Sequence, residues 1–329
     1  MKKFLSFMLR LVISVVAMAA LVYFMRGKFA EALEILKRGI QWPWLWTSVA
    51  AYFLAMALIS WRLQLVFKVQ EVRLSFSQTF YLSLVGMFFT LFFPSAMGGD
   101  IAKGYFAYQY SGKKIGSLTG VLLDRALGLF TLCVLTLIAV TLYSRQLQIP
   151  AMKKSLYALT AFLIFGFIFF MNHGFAKKFG FLFFLIPSEK LRKKLADLYH
   201  AVREYKNHKQ LLFTCCMISG VAQVIFLVQN YFLARALGIQ IEVWPFFILM
   251  PIVAFVSMAP SLSGLGVREA GFVFFFKSFI PTEEAFALTI LYDVIFYGSA
   301  LLGGLAFAIK GGLKKELLEG LEAVEQQET

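Results

Sequence analysis

Apolar residues run along this chain in long unbroken blocks, without the period-2 alternation or single apolar face of soluble elements. A helix crossing a hydrocarbon core about 30 Å thick needs about 20 such residues. Six blocks read as full spans: Leu11 to Met25, Trp44 to Leu65, Leu118 to Tyr143, Leu156 to Asn172, Leu211 to Ala234 and Ala285 to Ile309. Ala17-Met18-Ala19 resembles a signal-peptide cleavage site, but the apolar run continues past it, so the first block reads as an uncleaved span. Trp42, Trp44 and Trp46 mark an interface at the start of the second. Two further blocks are interrupted. Phe76 to Phe93 runs into Pro94-Ser95-Ala96-Met97-Gly98-Gly99-Asp100 and resumes over Ile101 to Tyr110. Trp244 to Ala259 runs into Pro260-Ser261-Leu262-Ser263-Gly264-Leu265-Gly266-Val267-Arg268-Glu269 and resumes over Ala270 to Ile280. Broken backbone at membrane depth survives only where it is buried in protein or lines a wet cavity. Both therefore read as re-entrant hairpins, with Pro94 and Pro260 as the breaks. The expected fold is an all-α polytopic membrane protein of about six full transmembrane helices plus two re-entrant broken-helix hairpins in an inverted repeat.

Composition agrees with this pattern and removes the soluble classes. Of 329 residues, 60% are hydrophobic and only 15% are charged, against roughly 45–50% and 25% in soluble domains. Cys133, Cys215 and Cys216 lie inside apolar runs, and His173, His200 and His208 have no ligand spacing, so no disulfide framework and no metal site is expected. The net charge of +14 reads as cytoplasmic Lys and Arg, not as a nucleic-acid surface. With the N-terminus inside and each hairpin returning to its own side, 20 Lys/Arg lie inside and 8 outside. Arg62 is counted among the inner flanking residues. Lys103, Arg125, Arg268 and Lys277 remain at membrane depth or in the hairpins. That bias places both termini in the cytoplasm of a cell (inner) membrane.

The two breaks divide residues 1–315 into halves, 1–172 and 211–315, joined by a basic linker over 173–210, with an acidic tail over 316–329. Asp124 follows Pro94 by 30 residues and Asp293 follows Pro260 by 33, each in an apolar span. Broken segments in corresponding halves point to a transport site at the midplane. In the linker, Leu191, Leu195, Leu198, Val202 and Tyr205 form one apolar stripe on a charged helix. It lies either along the cytoplasmic headgroups or on the protein's own cytoplasmic face.

Charges at membrane depth are costly and each calls for a partner and a reason. Asp100 either caps the helix that begins at the first break or holds a cation such as Arg125 or Arg268. Gly98 and Gly99, and Gly264 and Gly266, free backbone amides at helix starts, where partial positive charge favours anions. Arg268 beside such a start is suited to a phosphate because its planar fork binds two oxygens; the alternative is an ion pair with Glu269 or Asp100. Glu269 is a helix-start carboxylate or the counter-ion of Arg268. Asp124 and Arg125 are adjacent, about 100° apart on a helix, so each needs a partner on another segment. Asp293 needs one too, with Arg125 or Lys103 as candidates. Lys103 either meets a phosphate or snorkels to the interface. Gly298 and Gly303-Gly304 suggest close helix packing.

Three of these stretches occur in a distinctive order: Phe93-Pro94-Ser95-Ala96-Met97-Gly98-Gly99-Asp100-Ile101-Ala102-Lys103, Val121-Leu122-Leu123-Asp124-Arg125-Ala126-Leu127-Gly128, and Pro260 through Glu269. The set resembles the lysylphosphatidylglycerol synthase transmembrane-region family, the flippase-like domain of the multiple peptide resistance factor, over about residues 8 to 312. The resemblance implies a polytopic inner-membrane protein that moves a lipid between leaflets. Bifunctional members carry a soluble aminoacyl-transferase domain after the membrane part. This chain ends about 15 residues past its basic flank, so the expectation is a stand-alone member that makes no lysyl-lipid itself.

The leading expectation is a non-enzymatic lipid translocase for a phosphate-bearing lipid, phospho- or isoprenoid-linked, with membrane lipids as partners, no nucleic acid and no cofactor. Arg268, Gly264, Gly266, Gly98, Gly99 and Lys103 would receive the phosphate. Asp100, Asp124, Arg125, Glu269 and Asp293 would form ion pairs or carry protons. No G-x-x-x-x-G-K-[ST] loop is present, so uphill movement would draw on an ion gradient or a partner. The alternatives are an integral-membrane transferase on a lipid-linked substrate and an accessory protein for a separate lipid-modifying enzyme. No oligomeric state follows from the sequence.

Overall fold

The computed structural model of the chain describes residues 29–37, 39–92, 98–143, 157, 205–258 and 265–310. The first expected span, almost all of the fourth, most of the linker, the acidic tail, and Pro94, Pro260 and Gly264 lie outside these residues. Helices account for the described elements, and no strand occurs among them. In chain order they are α1 (Phe29–Lys37), α2 (Trp42–Val69), α3 (Phe76–Phe92), α4 (Gly98–Ser111), α5 (Lys114–Leu142), α6 (Lys209–Ala236), α7 (Trp244–Val256), α8 (Val267–Phe276) and α9 (Thr282–Ile309), with a single 3-10 turn at Tyr205–Asn207 before α6.

Four of these helices, α2, α5, α6 and α9, are long and apolar enough to cross a membrane. Each overruns the apolar block that predicted it by a few residues, reaching polar ends such as Lys114, Lys209 and Thr282. A helix of 28 residues is about 42 Å long, long enough to span the headgroup regions as well as the hydrocarbon core. Burial within α2 corrects one assignment. Arg62 is not an exposed flanking residue: it lies inside α2 and is 4% exposed. Removing it changes the inside-to-outside count to 19 against 8.

The interrupted blocks become two pairs of shorter helices. α3 packs against α4, and α7 against α8. Glycine sets how close these helices come. A Cβ on Gly99 would stand 2.3 Å from the Gly86 carbonyl oxygen, and one on Gly303 would stand 2.1 Å from that of Leu84. α3 is thus held on one side by α4 and on the other by α9. Lipid offers no hydrophobic drive for helix association, so small residues that permit backbone contact take its place. Gly303 and Gly304 behave as the sequence suggests; Gly298 has nothing within 4 Å of its Cβ position.

The largest apolar cluster joins α2, α6, α7, α8 and α9 around Phe246, Phe276 and Leu288. α2 and α6 run along each other, pinned by the buried Ser48 and Gln229, whose amide donates to the Ser48 hydroxyl at 2.9 Å. Between helices, Lys113 donates to Glu71 and holds that carboxyl below the ordinary carboxylate range. This links the α2–α3 connection to the α4–α5 connection.

Tyr205 is the one residue of the linker stripe that falls among the described residues. It is fully buried, packed with Val66, Val69, Leu123, Leu127 and Cys215, and its hydroxyl donates to the Val66 carbonyl at 2.9 Å. At this position the stripe meets the protein's own helices. Tyr205→Phe leaves that carbonyl without its extra donor and is expected to cost about 1 kcal/mol, measured as a lowered melting temperature of the purified protein in detergent.

Candidate functional site

α4 and α8 begin just after the two breaks and carry charge in their first turns. Asp100 is the third residue of α4, and its carboxylate accepts a hydrogen bond from Arg125 on α5. Lys103, one turn along α4, places its ammonium 3.6 Å from the other Asp100 oxygen. That is too far for a hydrogen bond, and no closer acceptor stands among the described residues. The Lys103 stem lies over Gly86, where a Cβ would meet its Cε at 2.7 Å. Glycine at 86 therefore opens the path of this side chain.

The second cluster has the opposite sign. Gly266 precedes α8 with φ +82, a left-handed conformation that glycine adopts without a Cβ clash. Its amide donates to Glu269 Oε2 at 2.5 Å. Arg268 Nη2 donates to Glu269 Oε1 at 2.9 Å and to Asp293 Oδ1 on α9 at 2.5 Å. Its guanidinium centre lies 4.8 Å from the Phe296 ring centroid, 5.4 Å from Tyr292 and 5.7 Å from Tyr297. Stacking on rings suits a planar, weakly hydrated cation. No acceptor for Arg268 Nη1 stands among the described residues.

Asp100, Lys103, Arg125, Arg268 and Glu269 line one cavity of about 360 Å³. Its remaining wall is mostly apolar, from Met87, Phe226, Met250, Val253 and Phe272, with Thr90, Ser257 and Thr289 adding hydroxyls. The first cluster holds two cations and one carboxylate, the second one cation and two carboxylates. A site of this form, apolar with a few convergent charges, is the usual build of a ligand pocket.

Several expectations change on this geometry. The partner of Asp293 is Arg268, not Arg125 or Lys103. The partner of Asp100 is Arg125 rather than Arg268. Glu269 serves as both helix-start acceptor and counter-ion. The Gly266 amide is already engaged by Glu269 and is not available to an anion. Gly98 and Gly99 are buried, and Gly99 is pressed against Gly86 and Thr90 of α3; neither lines the cavity. Asp124 does not line it either. It pairs with Arg62 at 2.7 Å in a separate buried cluster.

The spacing of the two ion pairs is equal. Asp100 and Arg125 are 25 residues apart, and so are Arg268 and Asp293. The carboxylate is on the short helix in the first pair and on the long helix in the second. Matching like charges pairs Asp124 with Asp293 and misses this relation. Arg62 was missed because it sits near the end of its apolar block, where a basic residue reads as a flank. Its signal is on α5: Gly116, Gly120, Asp124 and Gly128 recur every fourth residue, a small-residue seam that implies a closely packed neighbour.

The helices and apolar segments make the chain a multi-pass membrane protein. Comparison with curated proteins finds no match. A family model described as the lysylphosphatidylglycerol synthase TM region matches residues 7–304, nearly the whole chain, and the protein belongs to that family.

Proposed function

We propose that this protein moves a phosphate-bearing lipid between membrane leaflets, with the headgroup in the cavity and the acyl chains in the bilayer. The family supports a lipid-related role in the membrane. The observation that carries the reading is Lys103, an ammonium at the cavity wall with no hydrogen-bond acceptor among the described residues. Beside Arg125, it makes that end of the cavity the seat of the lipid phosphate. Arg268 offers Nη1 from the other end. In this reading the helix pairs α3–α4 and α7–α8 are re-entrant hairpins of an inverted repeat. The equal 25-residue spacing of the two ion pairs supports it. The remaining excess of basic residues favours both termini in the cytoplasm of the inner membrane.

The test is reconstitution into phosphatidylcholine vesicles with fluorescent phosphatidylglycerol in one leaflet. Arrival in the other leaflet is read by loss of protection from an impermeant quencher. The wild-type protein is expected to speed exchange over protein-free vesicles. Lys103→Ala is expected to slow it about tenfold, equivalent to one charge-assisted contact of about 1.4 kcal/mol, with the melting temperature nearly unchanged. Exchange no faster than in protein-free vesicles overturns the reading.

A further inference from the structure

Asp124 and Arg125 are neighbours in sequence but serve different helices. Asp124 faces α2, where Arg62 donates from Nε at 2.7 Å and from Nη1 to Ser219 Oγ of α6 at 2.6 Å. Thr131 Oγ1 lies 2.5 Å from the same Ser219 oxygen. Along this face of α5 a Cβ on Gly116 would stand 3.0 Å from Gln70, on Gly120 2.4 Å from the Phe67 ring, and on Gly128 3.4 Å from the Arg62 guanidinium. Residues 116, 120, 124 and 128 thus form one seam against α2 and its C-terminal end, with Arg62 lying over Asp124 and Gly128. Consecutive helical residues project about 100° apart. Fixing Asp124 toward α2 therefore fixes Arg125 toward α4, where it meets Asp100 at the cavity wall.

We propose that Arg62 is a positioning residue for the cavity: its hold on Asp124 and Ser219 sets the rotation of α5 and so the place of Arg125. Arg62 itself lies outside the cavity and touches no group that lines it through the bonds described. A charged fork in a dry contact is suited to this, because it fits one rotational setting, whereas apolar side chains tolerate several. The inference rests on the lipid-transfer reading only for its functional readout; its structural readout stands alone.

The informative variant is Arg62→Met with Asp124→Leu. Replacing both partners of a buried pair with apolar residues of similar size is often neutral or stabilising, so this protein is expected to fold and melt near the wild type. Spin labels at the exposed positions Ile101 on α4 and Leu122 on α5, with Cys133, Cys215 and Cys216 replaced by alanine, report the α4–α5 separation by double electron–electron resonance. The expected result is a shifted or broadened distance distribution. In the vesicle assay the double variant is expected to slow exchange about as much as Arg125→Ala. Adding Arg125→Ala to it is expected to cause little further loss, because both changes act through one group. An unchanged distance distribution, or full additivity with Arg125→Ala, overturns the proposal and leaves Arg62 as a brace. If the double variant does not fold, Ser219→Ala, which removes the acceptor of Arg62 Nη1, gives the same two readouts with the same opposing outcomes. If the wild type moves no lipid, the distance measurement still decides this inference while the proposed function falls.

Discussion

Arg268→Ala is expected to abolish exchange of the fluorescent lipid and to lower stability by about 3–5 kcal/mol, the usual effect of removing one partner from a buried ion pair. Arg268 is the sole cation bonded to both Glu269 and Asp293 among the described residues, and its side chain is 11% exposed. Removing it leaves two carboxylates close together in a low-dielectric wall and empties the space between three aromatic rings. Graded variants separate these losses. Arg268→Lys keeps a charge but cannot reach both carboxylates while lying flat on Phe296, so it is expected to fall between alanine and the wild type. Asp293→Asn keeps the Glu269 bonds and is expected to cost about 1–2 kcal/mol. Melting in detergent and exchange in vesicles check all three. A normally stable, active Arg268→Ala protein would remove Arg268 from the site.

Gly303→Ala and Gly298→Ala are expected to act in opposite directions although they lie on one helix. A Cβ at 303 would stand 2.1 Å from the Leu84 carbonyl oxygen and 2.6 Å from its carbon. Backbone cannot rotate away as a side chain can, so α9 and α3 must separate. The expected cost is at least the ~1–3 kcal/mol typical of overpacking. Because α3 also holds Lys103 over Gly86, exchange is expected to fall along with stability. A Cβ at 298 meets nothing within 4 Å, and alanine there is expected to gain up to about 1 kcal/mol from helix propensity. Equal melting temperatures for the two variants would mean that α9 does not pack on α3 through Gly303.

The class of protein and the four long described helices were legible in the sequence; the short helix α1 (Phe29–Lys37) was not, because it lies in no apolar block. The length of an apolar block is set by the thickness of the bilayer, and that signal is local, so α2, α5, α6 and α9 were legible with errors of a few residues at their polar ends. The Pro/Gly interruptions located the starts of α4 and α8 to within three residues: the helices begin at Gly98 and Val267, not at Ile101 and Ala270, so Asp100, Arg268 and Glu269 lie in first helical turns and not in the breaks. The cost of burying charge marked Asp124, Arg125 and Asp293 as residues needing partners, without saying which. The partners themselves follow from packing, because helix rotation and the contacts between distant helices fix which side chains meet. Arg62, read as a flank, became the counter-ion of Asp124. Asp293 went to Arg268, and Asp100 to Arg125. The seam of Gly116, Gly120 and Gly128 was present in the sequence throughout, but a glycine shows only that something approaches closely. That α2 approaches with Arg62, and so turns Arg125 toward the cavity, follows from packing over 62 residues of separation, which no local pattern encodes.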